Sequence, residues 1–545
     1  MIDDVRALDD GAVIHAEIGI VGAGFAGIDL ARRLGRDGVR VALLEGGRRD
    51  FDPASQMLNR EHRVGKPLRE PSPDSPFTPY LPAVFRGESR LRQFGGTSNI
   101  WTGKWRGFDE LDLAERPWIP FSGWPITHDE LAGHYRCVSE EYGLGDTHAF
   151  AQRPEVRAAR AHLAASGLEP SFHYWEATPT RPGIDFRDEL GRAPSIRVVL
   201  GANATEIVVG EDGATVEHVV FRSLDGRSFR LVADRFVLAT GGMEAPRLLL
   251  ASNRRHPEGL GNGHGLVGRF YQDHPKNKQA RLHPGPAMQV IEPWTRTDPR
   301  PCFHISLALA DDVQREEQVL DHAIYLSPVF DYQVDYPDAE VARLRDALHD
   351  RRPGQVLAAA ATLLLSPRSV AKILQRTRHR DRGGRVAHFV AGMYVEQAPN
   401  PDSRLRLSDD RDAIGMPRLI VDWRLNDLDH RSFDTVLTSL SRRLEQAGIG
   451  TLELGTDQPS LDDWVDAAHH MGGTRMGDRP ETGVVDPDCR VFGTTNLYIA
   501  SSSTFPTGHS AAPTMTILAL ARRLGEHLLT LRANTDADRP GATGD

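Results

Sequence analysis

A chain of 545 residues exceeds what one hydrophobic core organises, so two domains sharing an interface are expected. With 40% hydrophobic and 26% charged residues it is composed like a globular enzyme, not a disordered or fibrous chain. A net charge of -10 argues against a nucleic-acid partner, and three dispersed cysteines (Cys137, Cys302, Cys489) argue against a disulfide framework or a metal cluster.

Residues 1–15 read as an N-terminal extension, acidic at Asp3 and Asp4 and without the apolar run of a secretion signal. A cytoplasmic location with buried thiols is the expectation. Glu17 to Val21 reads as a buried parallel strand, Gly22 to Gly27 as a tight turn, Ile28 to Leu34 as a helix ending near Gly35, and Val39 to Leu44 as a second strand. In this unit Gly22 permits the turn and Gly24 lets backbone amides approach a pyrophosphate at the helix N-terminus. Gly27 lets helix pack on strand, and Phe25 and Ala26, in the same turn, are candidate cofactor contacts. Glu45 closes the second strand, where an acid binds ribose hydroxyls and disfavours a 2′-phosphate. Strand, turn, helix, strand and acid in register point to a dinucleotide, though not to which one.

Residues 50–90 read as a surface excursion and Phe94 to Trp105 as a structured loop rich in Gly and Trp. Ser195 to Val209 and Val216 to Val237 alternate as strands, and Thr240 to Leu250 turns into a helix whose first turn suits Pro246. The first unit thus covers 16–270. Residues 271–457 differ in texture, with strand-like runs at Ala323 to Phe330 and Ala387 to Val395 and a basic helical pair, Val341 to His349 and Ser369 to Arg380. Arg368, Lys372, Arg376, Arg378 and Arg380 cluster beside apolar residues there. A solvated face packed on its own domain is expected, with a membrane surface or a partner as the alternative. The longest apolar run, Val356 to Leu365, is too short to span a bilayer, so no clear membrane association is expected. Residues 458–533 return to the first unit, with a helix starting near Pro513, and 534–545 read as a disordered tail.

These pieces, together with Gly268 to Pro275, Glu396 to Ser403, His470 to Gly477 and Asn496 to Thr516, occur in the order found in the glucose-methanol-choline (GMC) flavoprotein oxidoreductases, which the chain resembles, most closely the pyranose or sugar oxidoreductase-like members. The resemblance implies an α/β protein: a Rossmann-like FAD-binding domain built from discontinuous segments, with an inserted α+β substrate domain whose mixed sheet is backed by helices. It implies FAD as cofactor. Gly95, Gly96, Ser98, Asn99 and Thr102 would lie beside the flavin and Thr205 and Ile207 on the adenine side. Ala500, Ser501, Pro513 and Thr514 would complete the site. Relatives that tether FAD covalently use a histidine where this chain has Ile100, so noncovalent FAD is expected.

Oxidising an alcohol needs a base for the hydroxyl proton and an acceptor for hydride. The resemblance puts His470 at the catalytic position, with His469 as a packing neighbour. Where family members place His or Asn, this chain has Ala512, and the nearby His509 is a candidate to take over that role. The alternatives are that His470 works alone or that a substrate group fills the gap. Trp101, Gln397 and Ala512 are candidate substrate contacts. The expected activity is oxidation of a CH–OH group, a secondary alcohol of a sugar, glycoside, aminosugar or cyclitol. Electrons would pass on to O2 or to a quinone or redox protein. Oxidation of a non-sugar alcohol, a non-redox elimination using FAD, and a binder with a vestigial site are the competing readings.

Overall fold

The computed structural model describes residues 1–65, 89–145, 147–176, 178–295, 302–330, 341, 344, 347, 353–379, 386–455 and 460–537. Apolar runs buried on both faces make parallel strands, and Ile18 to Val21 and Val41–Glu45 are buried throughout. They form the centre of an eight-stranded sheet ordered Ile2–Asp4, Ile196–Leu200, Val41–Glu45, Val13–Val21, Ser228–Leu238, Val216–Arg222, Asn203–Val209. The first half of Ser228–Leu238 pairs antiparallel with Val216–Arg222. Its last three residues pair in parallel with Leu497–Ile499. Leu44, Val21, Leu238 and Ile499 stand side by side, so four parallel strands end along one line.

The helix Phe25–Arg36 starts earlier than its sequence pattern indicated and runs past Gly35. Gly22 has φ 101°, and a Cβ on Gly27 would lie 2.0 Å from the Gly22 carbonyl oxygen. The supposed N-terminal extension belongs to the sheet: Ile2–Asp4 pairs with Val198 to Leu200, and the second strand begins at Val13. Pro246 is the sixth residue of Gly241–Ala251, not a first-turn residue, because Gly241 (φ 78°) turns the chain into helix directly after the strand.

A second sheet runs Gly450–Glu453, Lys276–Pro284, Val386–Val395, His322–Phe330, Cys302–Leu309, Leu168–Trp175, Lys104–Trp105. The expectation of a mixed sheet is corrected: each neighbouring pair is antiparallel. Antiparallel neighbours need no crossover helix between them. Two of its strands come from before residue 271. Its apolar face (Leu282, Ile305, Leu307, Ile324, Leu326, Phe389) packs on Phe433, Val436, Leu440 and Leu444 of the helix Asp427–Gln446. That helix is capped by Asn426 and a reciprocal Asp429. Within the expected excursion, His62–Gly65 joins Pro417–Trp423 and Arg404–Arg411 in a three-stranded sheet, while 66–88 lie outside the described residues.

Of the expected basic helical pair, Ser369 to Arg380 falls on the helix Pro367–His379, which follows an uncharged helix Pro353–Leu364; most of Val341 to His349 lies outside the described residues. The C-terminal helix runs from Thr514 to Ala537, so the first four residues of the expected disordered tail are helical; 538–545 lie outside the described residues. Cys489 is buried and Cys137 half-buried. Overpacking at the Gly22–Gly27 contact should destabilise: Gly27→Ala is expected to lose about 1–3 kcal/mol, read as a lowered midpoint in thermal or denaturant unfolding, and an unchanged midpoint would refute the contact.

Candidate active site

Because the four parallel strands end in line, Glu45, Gly22, Ala239 and Ala500 collect at the carboxyl edge of the sheet, where open α/β sheets bind ligands. Glu45 is buried. Its carboxylate accepts the Ala23 N–H (2.9 Å) and the Gly47 N–H (2.7 Å), and burial raises its pKa. A Cβ on Gly24 would point into open space, whereas a Cβ on Gly96 would lie 3.0 Å from the Gly24 Cα. The Gly95 N–H donates to the Ala23 carbonyl (2.9 Å), joining the two glycine loops. Asn99 donates to the Phe94 carbonyl (2.8 Å), and Ser98 donates to the Gly95 carbonyl. Asn99 Oδ1 and Thr240 Oγ1 are buried without a partner among the described residues, two polar atoms free for a ligand in the crevice. An open glycine cradle, a terminal acid and orphaned polar atoms fit a dinucleotide such as FAD.

Ala500 donates to the Leu238 carbonyl (2.9 Å), and the Ser501 hydroxyl caps the following turn by accepting the Ser503 N–H (3.1 Å). Thr205 and Ile207 are tied into the sheet, the Thr205 hydroxyl donating to the Val220 carbonyl and the Ile207 N–H to the Ser252 hydroxyl. Beside Glu45 stand instead Asn203 and Arg92 (Nη1 to Oδ1 3.1 Å). Arg92 and Arg90 belong to a buried network with Glu244, Glu61 and Arg247. There the three arginines outweigh burial and hold Glu244 low.

His470 sits behind this edge, its carbonyl 2.1 Å from a virtual Cβ on Gly242 and bonded by the Ser502 hydroxyl (2.7 Å). It is 8% exposed, and its Nε2 has no hydrogen bond among the described residues. Burial, helped by Arg90 and Arg63, pushes its pKa down to about 3, so the ring is neutral. Asp273 Oδ2 lies 3.9 Å from that nitrogen. The other oxygen of Asp273 accepts three N–H groups, from His274 (2.7 Å), Ala467 (3.0 Å) and His469 (3.1 Å), which fixes the carboxyl in place. Burial and Asp466 raise the Asp273 pKa well above the usual carboxyl range. His469 stacks on Tyr394 and lies 2.8 Å from His274 Nδ1, whose Nε2 lies 3.2 Å from the Gly508 carbonyl oxygen.

His509 is in left-handed backbone (φ 49°) and buried. Its Nε2 lies 2.9 Å from Asp112 and 3.0 Å from Asp321, and its Nδ1 accepts the Ala511 N–H (2.9 Å). Burial, Arg106 and the Ala511 N–H work against the charged form, yet the two carboxylates push its pKa up to about 10. With both nitrogens engaged, His509 orients the loop rather than facing a substrate in the place of the missing side chain at Ala512. Asp321 also accepts the Ser510 hydroxyl. Asp109, Asp112 and His509 have metal-like spacing, but Arg106 pairs with Asp109 at 2.8 Å and fills the cation role. Gln397 is likewise structural: its oxygen accepts the Asp273 N–H (3.1 Å) and the Trp423 indole N–H (2.8 Å), and its nitrogen donates to the Arg424 carbonyl (3.0 Å). Trp101 packs edge-on against Phe25 and Trp105 and donates to the Thr180 carbonyl (2.8 Å), so it belongs to the core under the nucleotide loop. The Thr102 carbonyl accepts the Trp175 indole N–H (2.7 Å). Pro513 immediately precedes the C-terminal helix, where its carbonyl accepts the Ile517 N–H (2.9 Å); Thr514 is the first helical residue.

Sequence reasoning missed the polar face of the second sheet. Alternation along antiparallel strands puts Trp175 beside Lys104, His173 beside His304, Ser306 beside Tyr325 and Lys276 beside Tyr394 on one face. The Tyr325 hydroxyl donates to the Ser510 carbonyl (3.4 Å), so this face turns toward the loop that carries His509. His173 Nε2 and His304 Nδ1 are buried without partners among the described residues. Burial, then nearby cations, lowers both pKa values, that of His304 to about 4. The polar-every-second-residue pattern of Leu168–Trp175 and Cys302–Leu309 was the available signal.

Residues 399–521 match the family model described as GMC oxidoreductase. The chain is 26% identical to the fructose dehydrogenase large subunit of Gluconobacter japonicus, over 95% of this chain and 98% of that protein. It is 23% identical to the paromamine 6'-oxidase of Streptomyces fradiae, over 93% and 90%. In fold it resembles the solved pyridoxine 4-oxidase from Mesorbium loti, with a TM-score of 0.57 and 18% identity over 94% of this chain and 99% of that one.

The two histidines should separate in mutagenesis. His470→Ala is expected to cost roughly 10²–10⁴-fold in turnover, the span of a lost general base, at near-normal stability. His509→Ala leaves Asp112 and Asp321 facing each other and should destabilise by about 3–5 kcal/mol; a stable but inactive His509→Ala protein would return that ring to the reaction itself. The neutral histidines also make folding acid-sensitive. Above the unfolded value of about 6.5 they contribute nothing. Below it the unfolded chain gains protons that His274 and His304 (both about 4) and His470 (about 3) refuse when folded. Stability should then fall by roughly 1.4 kcal/mol per pH unit for each of them down to about pH 4, and denaturant titrations that show no such slope would contradict their burial.

Proposed function

Because this chain belongs to the GMC oxidoreductases, a family of FAD-binding enzymes acting on alcohols, we propose that it oxidises a secondary CH–OH group of a sugar-like polyol, with His470 taking the hydroxyl proton. The observation that carries the reading is a neutral, buried His470 ring with an unpartnered nitrogen, set behind a crevice that fits a dinucleotide. FAD, when bound, supplies the acceptor for the hydride. Glu45 would hold the ribose, the Gly22–Gly27 turn the pyrophosphate, and the Gly95–Asn99 loop the flavin. Neutral His470 accepts the proton; the nearest acidic group to its free nitrogen is the Asp273 carboxyl, 3.9 Å away. Ala512 gives no hydrogen bond, so His470 works without a second side chain from that position.

The polar face of the second sheet supports a hydroxyl-rich substrate. Neutral His173 and His304 can each donate and accept, as a hydroxyl does. Tyr325 and Tyr394 offer flat surfaces for the C–H faces of a ring. The fructose dehydrogenase and paromamine oxidase similarities fit the same substrate class. Ile100 is buried and has no atom able to bond the flavin, which supports noncovalent attachment.

Acid precipitation should release all yellow colour to the supernatant; colour kept in the pellet would refute noncovalent attachment. Anaerobic titration with a panel of pyranoses, glycosides, aminosugars and short alcohols should bleach the flavin with one class. Readmitting air then sorts O2 from a quinone or redox protein as acceptor. A flavin that none of them bleaches would move the protein to the non-redox reading.

A further inference from the structure

Between the paired residues Phe330 and Val386 the chain makes a long detour, although neighbouring antiparallel strands need only a short turn. The detour carries the helices Pro353–Leu364 and Pro367–His379. From Pro353 to Pro367 no residue is charged. From Arg368 to His379 the charges are all basic: Arg368, Lys372, Arg376 and Arg378, with no acid. Apolar content of this kind belongs in a core, yet Leu357, Leu364, Leu365 and Leu374 are 72%, 73%, 82% and 55% exposed. They are four of the nine large hydrophobic side chains exposed among the described residues, gathered within 18 positions. Contiguous exposed apolar surface marks a site of contact.

We propose that this helix pair is a docking element for a membrane surface rich in anionic lipid, on which the enzyme sits peripherally. Length and shape favour lying in the interface over crossing it. Among the described residues no single helix is long and apolar enough to cross a membrane, and the two helices meet at 88°. An apolar segment that ends in a basic one fits a layer that offers hydrocarbon below and phosphate above. A protein partner would need an acidic groove to match the same pattern. The inference stands apart from the flavin chemistry, and it gives that chemistry a place: beside acceptors dissolved in the lipid.

The test is co-sedimentation of the full-length flavin-loaded protein with vesicles of phosphatidylcholine, alone or mixed with phosphatidylglycerol. Binding to the mixed vesicles should exceed binding to phosphatidylcholine alone by at least roughly tenfold, and should fall with added salt. The double variant Leu364→Glu/Leu365→Glu, altered only at exposed positions, should lose vesicle binding while keeping its melting midpoint and its rate with a soluble dye. Arg368→Glu/Lys372→Glu should lose the preference for phosphatidylglycerol by about fivefold or more per residue. Equal or absent binding to the two vesicle types would overturn the proposal. So would a wild-type dimer in light scattering that Leu364→Glu/Leu365→Glu splits, since the face would then be covered by a second copy.

Discussion

The alignment of four parallel strand ends governs this molecule. Leu44, Val21, Leu238 and Ile499 are neighbours in one line, so the residues that follow each of them meet, although they come from positions up to several hundred residues apart. Everything at the crevice inherits its place from this register. A slip of one residue in any of the four strands would turn a buried side chain outward and carry its loop away from the others. The Gly22–Gly27 contact then locks the first helix against the line, and Gly242 lets the His470 backbone come up behind it.

What the sequence made legible was what is local. The glycine turn, the closing acid Glu45 and the strands from 196 to 238 follow from spacing within a few tens of residues, and the resemblance of ordered motifs supplied the rest of the expected cofactor site. The strand order of the second sheet was not legible, because pairings such as Ile305 with Phe172 or Leu282 with Leu452 join segments that share no local signal. Nor was the fate of His509 or Gln397. A histidine near a catalytic motif looks available on paper. Only the fold brings Asp112 and Asp321 to its Nε2, or Trp423 and the Asp273 backbone to Gln397.

The environment of the histidines is the second theme. His173, His274, His304, His322, His469 and His470 all have pKa values lowered by burial, whereas His509, held between two carboxylates, is pushed the other way. One residue type thus fills two roles: uncharged rings that offer a lone pair and a donor together, and one ring that ties acidic residues from distant segments.

That tie reaches further than the loop it holds. Asp321 immediately precedes a strand of the second sheet, contacts His509 and Ser510 from the C-terminal segment, and gives its N–H to Glu396, which is forked by Arg116. Pulling the two halves of the molecule apart would strand several buried charges at once. The contact therefore opposes the opening of a hinge between them.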